Sequence, residues 1–292
     1  MTNKILVIIP VYNESRTVFD ILSKVQEYCD EIIVINDGST DNSLDVIKSF
    51  LPSATVSIKI INNNKNLGIG KSMKLGFEEA LRGNAEILIK LDADAQHKPE
   101  DIPTFIKLLV EKNYDLVKGN RFFKHESINK MPKIKVIGNL ITTSLQKVIS
   151  GNYKISDPNN GFLAIKVDKL RTIDINKLDN KYFFENSLVI IFSAYGFKIG
   201  EYGIETIYGE EESSIPIFKA SLKLLPFFIL SLYRRNKLKA INQLSLNSLI
   251  FLLGNIIFFT NLLFQVYLMW YFLLFLIFLY LLIDIVNFYI ND

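Results

Sequence analysis

A single cysteine, Cys29, in 292 residues excludes an intramolecular disulfide, and with it the small stapled folds of secreted proteins. A surplus of one charge is missing too: 33 Lys and Arg stand against 30 Asp and Glu, and a formal net charge of +3 makes no case for nucleic acid as partner. Arginine is scarce, six residues against 27 lysines, so an arginine at the end of a strand carries information. No secretory signal is visible, because the apolar run after Lys4 closes at Pro10. The longest absence is of charge itself, which is missing from all 43 residues between Ile241 and Ile283. At about 1.5 Å rise per residue such a stretch is long enough to cross a hydrocarbon core of about 30 Å twice, which predicts a membrane hairpin.

What is present before that stretch is an alternation of strand and helix. Ile5 to Ile9 is a continuous aliphatic run, followed by helical spacing at Val18, Ile21, Leu22 and Val25, for which Asn13 or Ser15 is the candidate cap. Glu31 to Ile35, Ser57 to Ile61, Glu86 to Leu91 and Asp115 to Gly119 read as further strands, with helices over Leu44–Leu51, Ser72–Leu81 and Ile102–Val110 between them. This order predicts an α/β fold with a parallel sheet covered on both faces. Beyond it come an amphipathic helix over Ile134–Ile149, a turn at Asp157-Pro158-Asn159-Asn160-Gly161, a strand from Phe162 to Ile165, a helix over Phe183–Ala194 and an extended stretch from Phe197 to Ile207. The polar segment 123–132, which includes His125, reads as a loop able to close over a ligand.

In parallel sheets ligands bind beyond the carboxyl ends of the strands. Leu91-Asp92-Ala93-Asp94-Ala95-Gln96-His97 leaves one such end, and two carboxylates so close together repel unless a cation with oxygen preference, Mg²⁺ or Mn²⁺, lies between them and a substrate's phosphates. With an extended backbone, Asp92, Asp94 and Gln96 would share one side. Glu14 and Asp37 follow their own strands to the same edge, Asp37 and Asp41 being equally suited to cap the next helix. Gly68 lies in Asn66-Leu67-Gly68-Ile69-Gly70, ahead of a helix, where backbone N–H groups can approach a phosphate or nucleoside. Arg121 follows the fifth strand and suits bidentate contact with phosphate, and Asp157 is placed on an exposed bend.

Taken in order, Pro10-Val11-Tyr12-Asn13-Glu14, Asp37-Gly38-Ser39-Thr40-Asp41, Asn66 to Gly70, Asp92 to His97, Gly119-Asn120-Arg121 and Asp157 to Phe162 resemble the family 2 glycosyltransferases. The likeness covers roughly residues 4 to 215 and is strongest to the branch that resembles dolichyl-phosphate mannose synthase and the bacterial polyprenyl-phosphate glycosyltransferases. The resemblance implies a GT-A fold, Rossmann-like with a mixed but mostly parallel sheet, and an inverting transfer from a UDP- or GDP-sugar to a polyprenyl phosphate, undecaprenyl or dolichyl. It implies that Pro10, Tyr12, Glu14 and Asp37 contact the nucleoside, that Asp92, Asp94 and Gln96 hold Mg²⁺ or Mn²⁺ and the donor diphosphate, and that Arg121 meets a phosphate. Some relatives carry an arginine and a G-x-S-K pattern after the last strand. Tyr208 to Ile215 departs from this with glutamates and serines, leaving Lys219 as a substitute for the acceptor phosphate.

On this reading the catalytic set is Asp94, Arg121 and Asp157. A phosphate acceptor is already ionised and needs no base, whereas a hydroxyl acceptor would need one, and Asp157 is the candidate. A hydroxyl-directed transferase and a non-catalytic sugar-nucleotide-binding membrane protein stand as alternatives. A processive synthase is disfavoured because the one tryptophan, Trp270, is not in a Q-x-x-R-W motif, and a nucleotidyltransferase because Pro10 to Glu14 is not a glycine-rich loop. The expected organisation is a GT-A domain over 1–214, a basic amphipathic interfacial helix over 215–240, bent at Pro226, and two transmembrane helices in 241–292. Six basic residues and no acidic one between Pro216 and Ala240 place the catalytic domain in the cytoplasm. Asn247 and Asn255, inside the apolar stretch, leave room for a homo-oligomer.

Overall fold

The computed structural model describes residues 3–123, 133–206, 217–242, 250, 253–254, 256–257 and 268–290. Seven strands, β1 (Ile5–Val11), β2 (Glu31–Asn36), β3 (Ser57–Asn62), β4 (Ile87–Lys90), β5 (Leu116–Asn120), β6 (Leu163–Lys166) and β7 (Ile199–Gly203), form one sheet in the order β3-β2-β1-β4-β6-β5-β7. Helices α1 (Val18–Val25), α2 (Ser43–Phe50), α3 (Ile69–Arg82) and α4 (Ile102–Glu111) connect the first five strands.

β1 alternates between two cores. Leu6 and Ile8 join a cluster with Met73, Phe77, Leu163, Phe184 and Leu188 on one face, while Val7, Ile9 and Val11 join Val18, Leu22, Ile47, Phe105 and Phe162 on the other. Both faces are therefore dry, which is why the strands read as unbroken aliphatic runs. The helical spacing of α1 is confirmed, since Val18, Ile21, Leu22 and Val25 are all buried, each contributing about 1.5–3 kcal/mol of transfer free energy. Neither Asn13 nor Ser15 caps it; its N-cap is Thr17, and Asn13 reaches across to the next loop. The edge strand β3 is half exposed and carries Lys59, paired with Glu79 of α3, a charge that discourages addition of another strand.

The sheet is mixed rather than purely parallel. β3–β2, β2–β1, β1–β4 and β5–β7 pair in parallel, and β6 runs antiparallel to β4 and β5. After β5 the chain passes through the helix Lys133–Ser150 and the turn at 157–161, then enters β6 from the edge where β4 and β5 end. An antiparallel strand thus contributes its amino end where its neighbours contribute their carboxyl ends. That brings the Asp157 turn beside Asp92 and Arg121.

The membrane hairpin is not found. Among the described residues no helix is long and apolar enough to cross a membrane, so the expectation of an integral membrane protein with a cytoplasmic catalytic domain and two spans falls. The first of the two spans lies mostly outside the described residues, as do Asn247 and Asn255. The stretch Tyr267 to Ile285, taken as the returning span, contains Asp284, which is 4% exposed and gripped by Arg235 through Nη2 at 2.7 and 2.8 Å. Arg235 belongs to the basic helix Ile217–Asn242, yet it is wholly buried and also donates to Ile149 O at 3.0 Å. This aspartate stands one residue beyond the uncharged run and inside the expected returning span. Segment 124–132 with His125, and Tyr208 to Ile215, lie outside the described residues, and the extended stretch after Phe197 shortens to Ile199–Gly203.

Candidate active site

The loops after β1 and β2 interlock. Asn13 adopts a left-handed backbone (φ 59°), its Oδ1 accepts from Thr40 N at 2.8 Å, and its own N–H donates to Ser39 Oγ at 3.0 Å. Glu14 N donates to Ser43 Oγ at 2.8 Å, and Ser15 N to Asp41 Oδ2 at 3.2 Å. Burial pushes Asp41 up, but side-chain and backbone hydrogen bonds from Ser43 and Ser15 outweigh it and bring the carboxyl to about 2. Pro10 is buried within β1, whereas Tyr12 is 44% exposed at the sheet edge and Glu14 is half-buried, accepting from Thr17 Oγ1.

Asp37 and Asp41, equivalent in sequence, divide their labour. Asp41 serves the start of α2 through Ser43. Asp37 caps no helix: its carboxylate, 4% exposed, accepts from Leu67 N and Gly68 N at 2.9 Å each and from Asn63 Nδ2 at 2.9 Å. It therefore shapes the Asn66–Gly70 loop, in which Gly68 sits at φ 91°. The amino end of α3 is not open to a phosphate, since Lys71 N donates to Asn180 O at 3.0 Å. A Cβ on Gly70 would lie 2.2 Å from Asp179 O and 2.6 Å from Asn180 C, so glycine is needed there for the 179–181 segment to close over the helix.

The acidic loop is a turn, not an extended strand. Ala93 is buried, Ala95 is left-handed (φ 56°), and Asp94 Oδ1 accepts from Gln96 N at 3.0 Å, so alternation does not align Asp92, Asp94 and Gln96. Asp92 is drawn inward. Lys90 Nζ donates to its Oδ1 at 2.7 Å and lies 3.1 Å from Glu185 Oε1, while Lys90 itself is 1% exposed. Burial works against the charge of Lys90, but Asp92 and Glu185 outweigh it and hold the ammonium protonated. Burial likewise raises Asp92, and the Lys90 charge overrides it, leaving the carboxylate below its ordinary range. A Cβ on Gly161 would meet Asp92 Oδ2 at 2.0 Å, so this glycine makes room for the carboxylate.

Arg121 and Asp157 form one unit. Arg121 donates through Nε to Oδ2 at 2.7 Å, through Nη2 to Oδ1 at 2.8 Å and through its backbone N–H to Oδ2 at 3.1 Å. Asp157 is 0% exposed, so the exposed bend inferred from proline and glycine is in fact a buried turn. A carboxylate held by a guanidinium at both oxygens is a poor general base. His97, 7% exposed and tilted against Phe162 at 5.8 Å, has a buried Nδ1 with no hydrogen-bond partner among the described residues; burial is the largest of the influences that push it down to about 4, which favours the neutral ring.

Sequence reading missed Lys90, Lys118, Glu185 and Glu201. A signal existed for the lysines, since each interrupts an otherwise apolar buried strand just before a site residue.

A family model described as Glycosyl transferase family 2 matches residues 6–174. The chain belongs to this family. As a glycosyltransferase it is similar to UDP-N-acetylglucosamine–dolichyl-phosphate N-acetylglucosaminyltransferase of Methanococcus voltae, 29% identical over 72% of this chain and 88% of that protein. It is also similar to polyprenol monophosphomannose synthase of Mycolicibacterium smegmatis, at 26% identity over 68% and 76%. Among solved structures, glucosyl-3-phosphoglycerate synthase from Mycobacterium tuberculosis, in complex with Mn²⁺, uridine diphosphate and glucosyl-3-phosphoglycerate, superimposes with a TM-score of 0.59 at 17% identity, covering 80% of each chain. That likeness establishes the GT-A-like fold.

The donor set of the glycosyltransferase fits a hard divalent cation. Among the described residues no three His, Cys, Asp or Glu side chains assemble into a metal cage. Asp94 and Gln96 are partly exposed residues of the acidic loop, Asp94 Oδ1 accepting from Gln96 N, and Asp92 has one oxygen on Lys90. An all-oxygen half-site suits Mg²⁺ or Mn²⁺ completed by substrate phosphates, and not a soft metal.

Proposed function

We propose that this glycosyltransferase moves a sugar from a UDP- or GDP-sugar to a polyprenyl phosphate, with inversion at the anomeric carbon. The observation that carries the reading is the engagement of both Asp157 oxygens by Arg121 beside the acidic loop. With both oxygens engaged, Asp157 is no candidate base, which suits an acceptor that is already ionised. The names of the relatives support the same acceptor class.

In the transfer, an acceptor phosphate oxygen bonds to the anomeric carbon as the bond from that carbon to the donor's diphosphate oxygen breaks, and a nucleoside diphosphate leaves. Tyr12, Glu14 and Asp37 border the nucleoside, Pro10 holding the end of β1 in place and Gly68 the loop that Asp37 shapes. Asp94 and Gln96, with Asp92, would hold Mg²⁺ or Mn²⁺ against the diphosphate. When bound, such a cation neutralises the charge growing on the leaving group. Arg121 meets the acceptor phosphate, held in orientation by Asp157; Lys219 is proposed as a second contact from its place on the basic helix, its side chain being outside the described residues. Residues 1–214 carry the transfer and 215–240 supply the basic surface beside it. A hydroxyl acceptor is the weaker alternative, because its proton would have to go to Asp157 at the expense of the Arg121 pair.

Purified protein incubated with Mn²⁺, polyprenyl phosphate and a panel of radiolabelled UDP- and GDP-sugars is expected to transfer label into the organic phase with at least one donor. Label that stays aqueous with every donor defeats the proposal.

A further inference from the structure

Two fully buried lysines lie on the two strands that flank β6, without a place in the transfer outlined above. Lys90 of β4 and Lys118 of β5 are both registered against Leu163 of β6, one on each side, so they stand at the same level beneath the sheet edge. Their ammonium groups end on successive carbonyls of one turn: Lys118 Nζ donates to Asn160 O at 2.7 Å and Lys90 Nζ to Gly161 O at 3.2 Å. The other end of that turn is held by a carboxylate. Glu201 Oε1 on β7 accepts from Ser156 N and Asp157 N at 2.9 Å each, and its Oε2 accepts from Asn120 Nδ2 at 2.7 Å. Cations on the carbonyls and an anion on the amides thus grip the segment 156–161 from beneath.

We propose that Lys118, with Lys90, is a positioning residue of the glycosyltransferase: it fixes the Asn160–Gly161 turn so that Asp157 presents Arg121 in the orientation that sugar transfer requires. The geometry is specific to Lys118 because Lys90 has two carboxylates to neutralise it, whereas Lys118 has none within ion-pair distance among the described residues. Burial pushes Lys118 down to about 8 against the pull of Glu185 and Asp157, with Lys90 adding repulsion. A buried ammonium held at such expense on a single carbonyl does more than fill space, since an apolar side chain of the same length would pack there without desolvating a charge. The consequence for Asp92 is parallel. Gly161, anchored by Lys90, is the wall against which Asp92 Oδ2 rests.

The proposal rests on the transfer reading for its purpose but is tested independently of it. Lys118→Met and Lys118→Gln are compared with the wild type at pH 7.5, following adduct formation by phenylglyoxal at each arginine by peptide mass spectrometry. In the wild type Arg121, paired at both ends of its fork and 17% exposed, is expected to react slowly; Arg82, 68% exposed, serves as internal control. Lys118→Met should speed modification of Arg121 at least tenfold and leave Arg82 unchanged, and Lys118→Gln, which keeps a donor for Asn160 O, should restore most of the protection. Where transfer is measured, Lys118→Met should lower kcat at least tenfold with the donor KM within threefold, and Asp157→Asn should add little to that loss. An unchanged Arg121 rate in Lys118→Met, equal effects at Arg121 and Arg82, or failure of both variants to fold would overturn the positioning role. A wild type that makes no product with intact Arg121 protection would instead count against the transfer reading alone.

Discussion

Individual side chains decide how the acidic loop works. Asp92 and Asp94 look interchangeable in sequence, yet Lys90 claims an oxygen of Asp92 while Asp94 folds over Gln96 N. Asp94→Asn is accordingly expected to reduce transfer by about 100-fold, the scale of removing a group that stabilises developing charge, with Tm unchanged. His97 supplies a pH signature. Its folded pKa lies near 4, below the ordinary value of 6.5, so the unfolded chain takes up the proton first and stability falls as pH drops from about 6.5 towards 4, being fully present above 6.5. His97→Gln is expected to lose about 3–6 °C less in Tm between pH 7 and pH 5 than the wild type; equal losses in the two proteins would show that the histidine is not buried neutral. At this scale the sequence was only partly legible. The types and order of Asp92, Asp94, Gln96 and Arg121 are visible, but the burial of Asp157 and the pairing of Lys90 are not, because they depend on β6 running antiparallel between strands distant in the chain.

Elements were far more legible, because both sheet faces are buried and the aliphatic runs mark the strands directly. What the pattern could not show was which helix ends are open. A glycine-rich loop before a helix suggests an anion site, but the 179–181 segment fills the amino end of α3, a contact more than 100 residues away in sequence. Gly70→Ala would force a Cβ into the backbone of Asp179 and Asn180 and is expected to cost about 1–3 kcal/mol, read as a lower Tm with the fold retained. The helices Ile217–Asn242 and Leu268–Ile290 are tied by Arg235 and Asp284. Removing one partner strands a buried charge, so Asp284→Ala should destabilise by about 3–5 kcal/mol, while Arg235→Met combined with Asp284→Leu should cost less than the single change. A milder single than double variant in thermal unfolding would show that the pair is not holding the two helices together.

For the whole molecule, the GT-A-like sheet collects the segments after β1 to β5 and the 157–161 turn at a single edge, and only that collection turns weak local motifs into the site proposed for transfer. The 43 uncharged residues misled because composition alone does not say where an apolar helix packs; among the described residues no helix is long and apolar enough to cross a membrane. The proposed anionic acceptor is tested most directly by the chemical form of the product. Phosphorus NMR of the extracted lipid product should show the polyprenyl monoester resonance replaced by that of a sugar phosphodiester with inverted anomeric configuration. A product in which the lipid phosphate stays a monoester and the sugar sits on a hydroxyl would contradict the account.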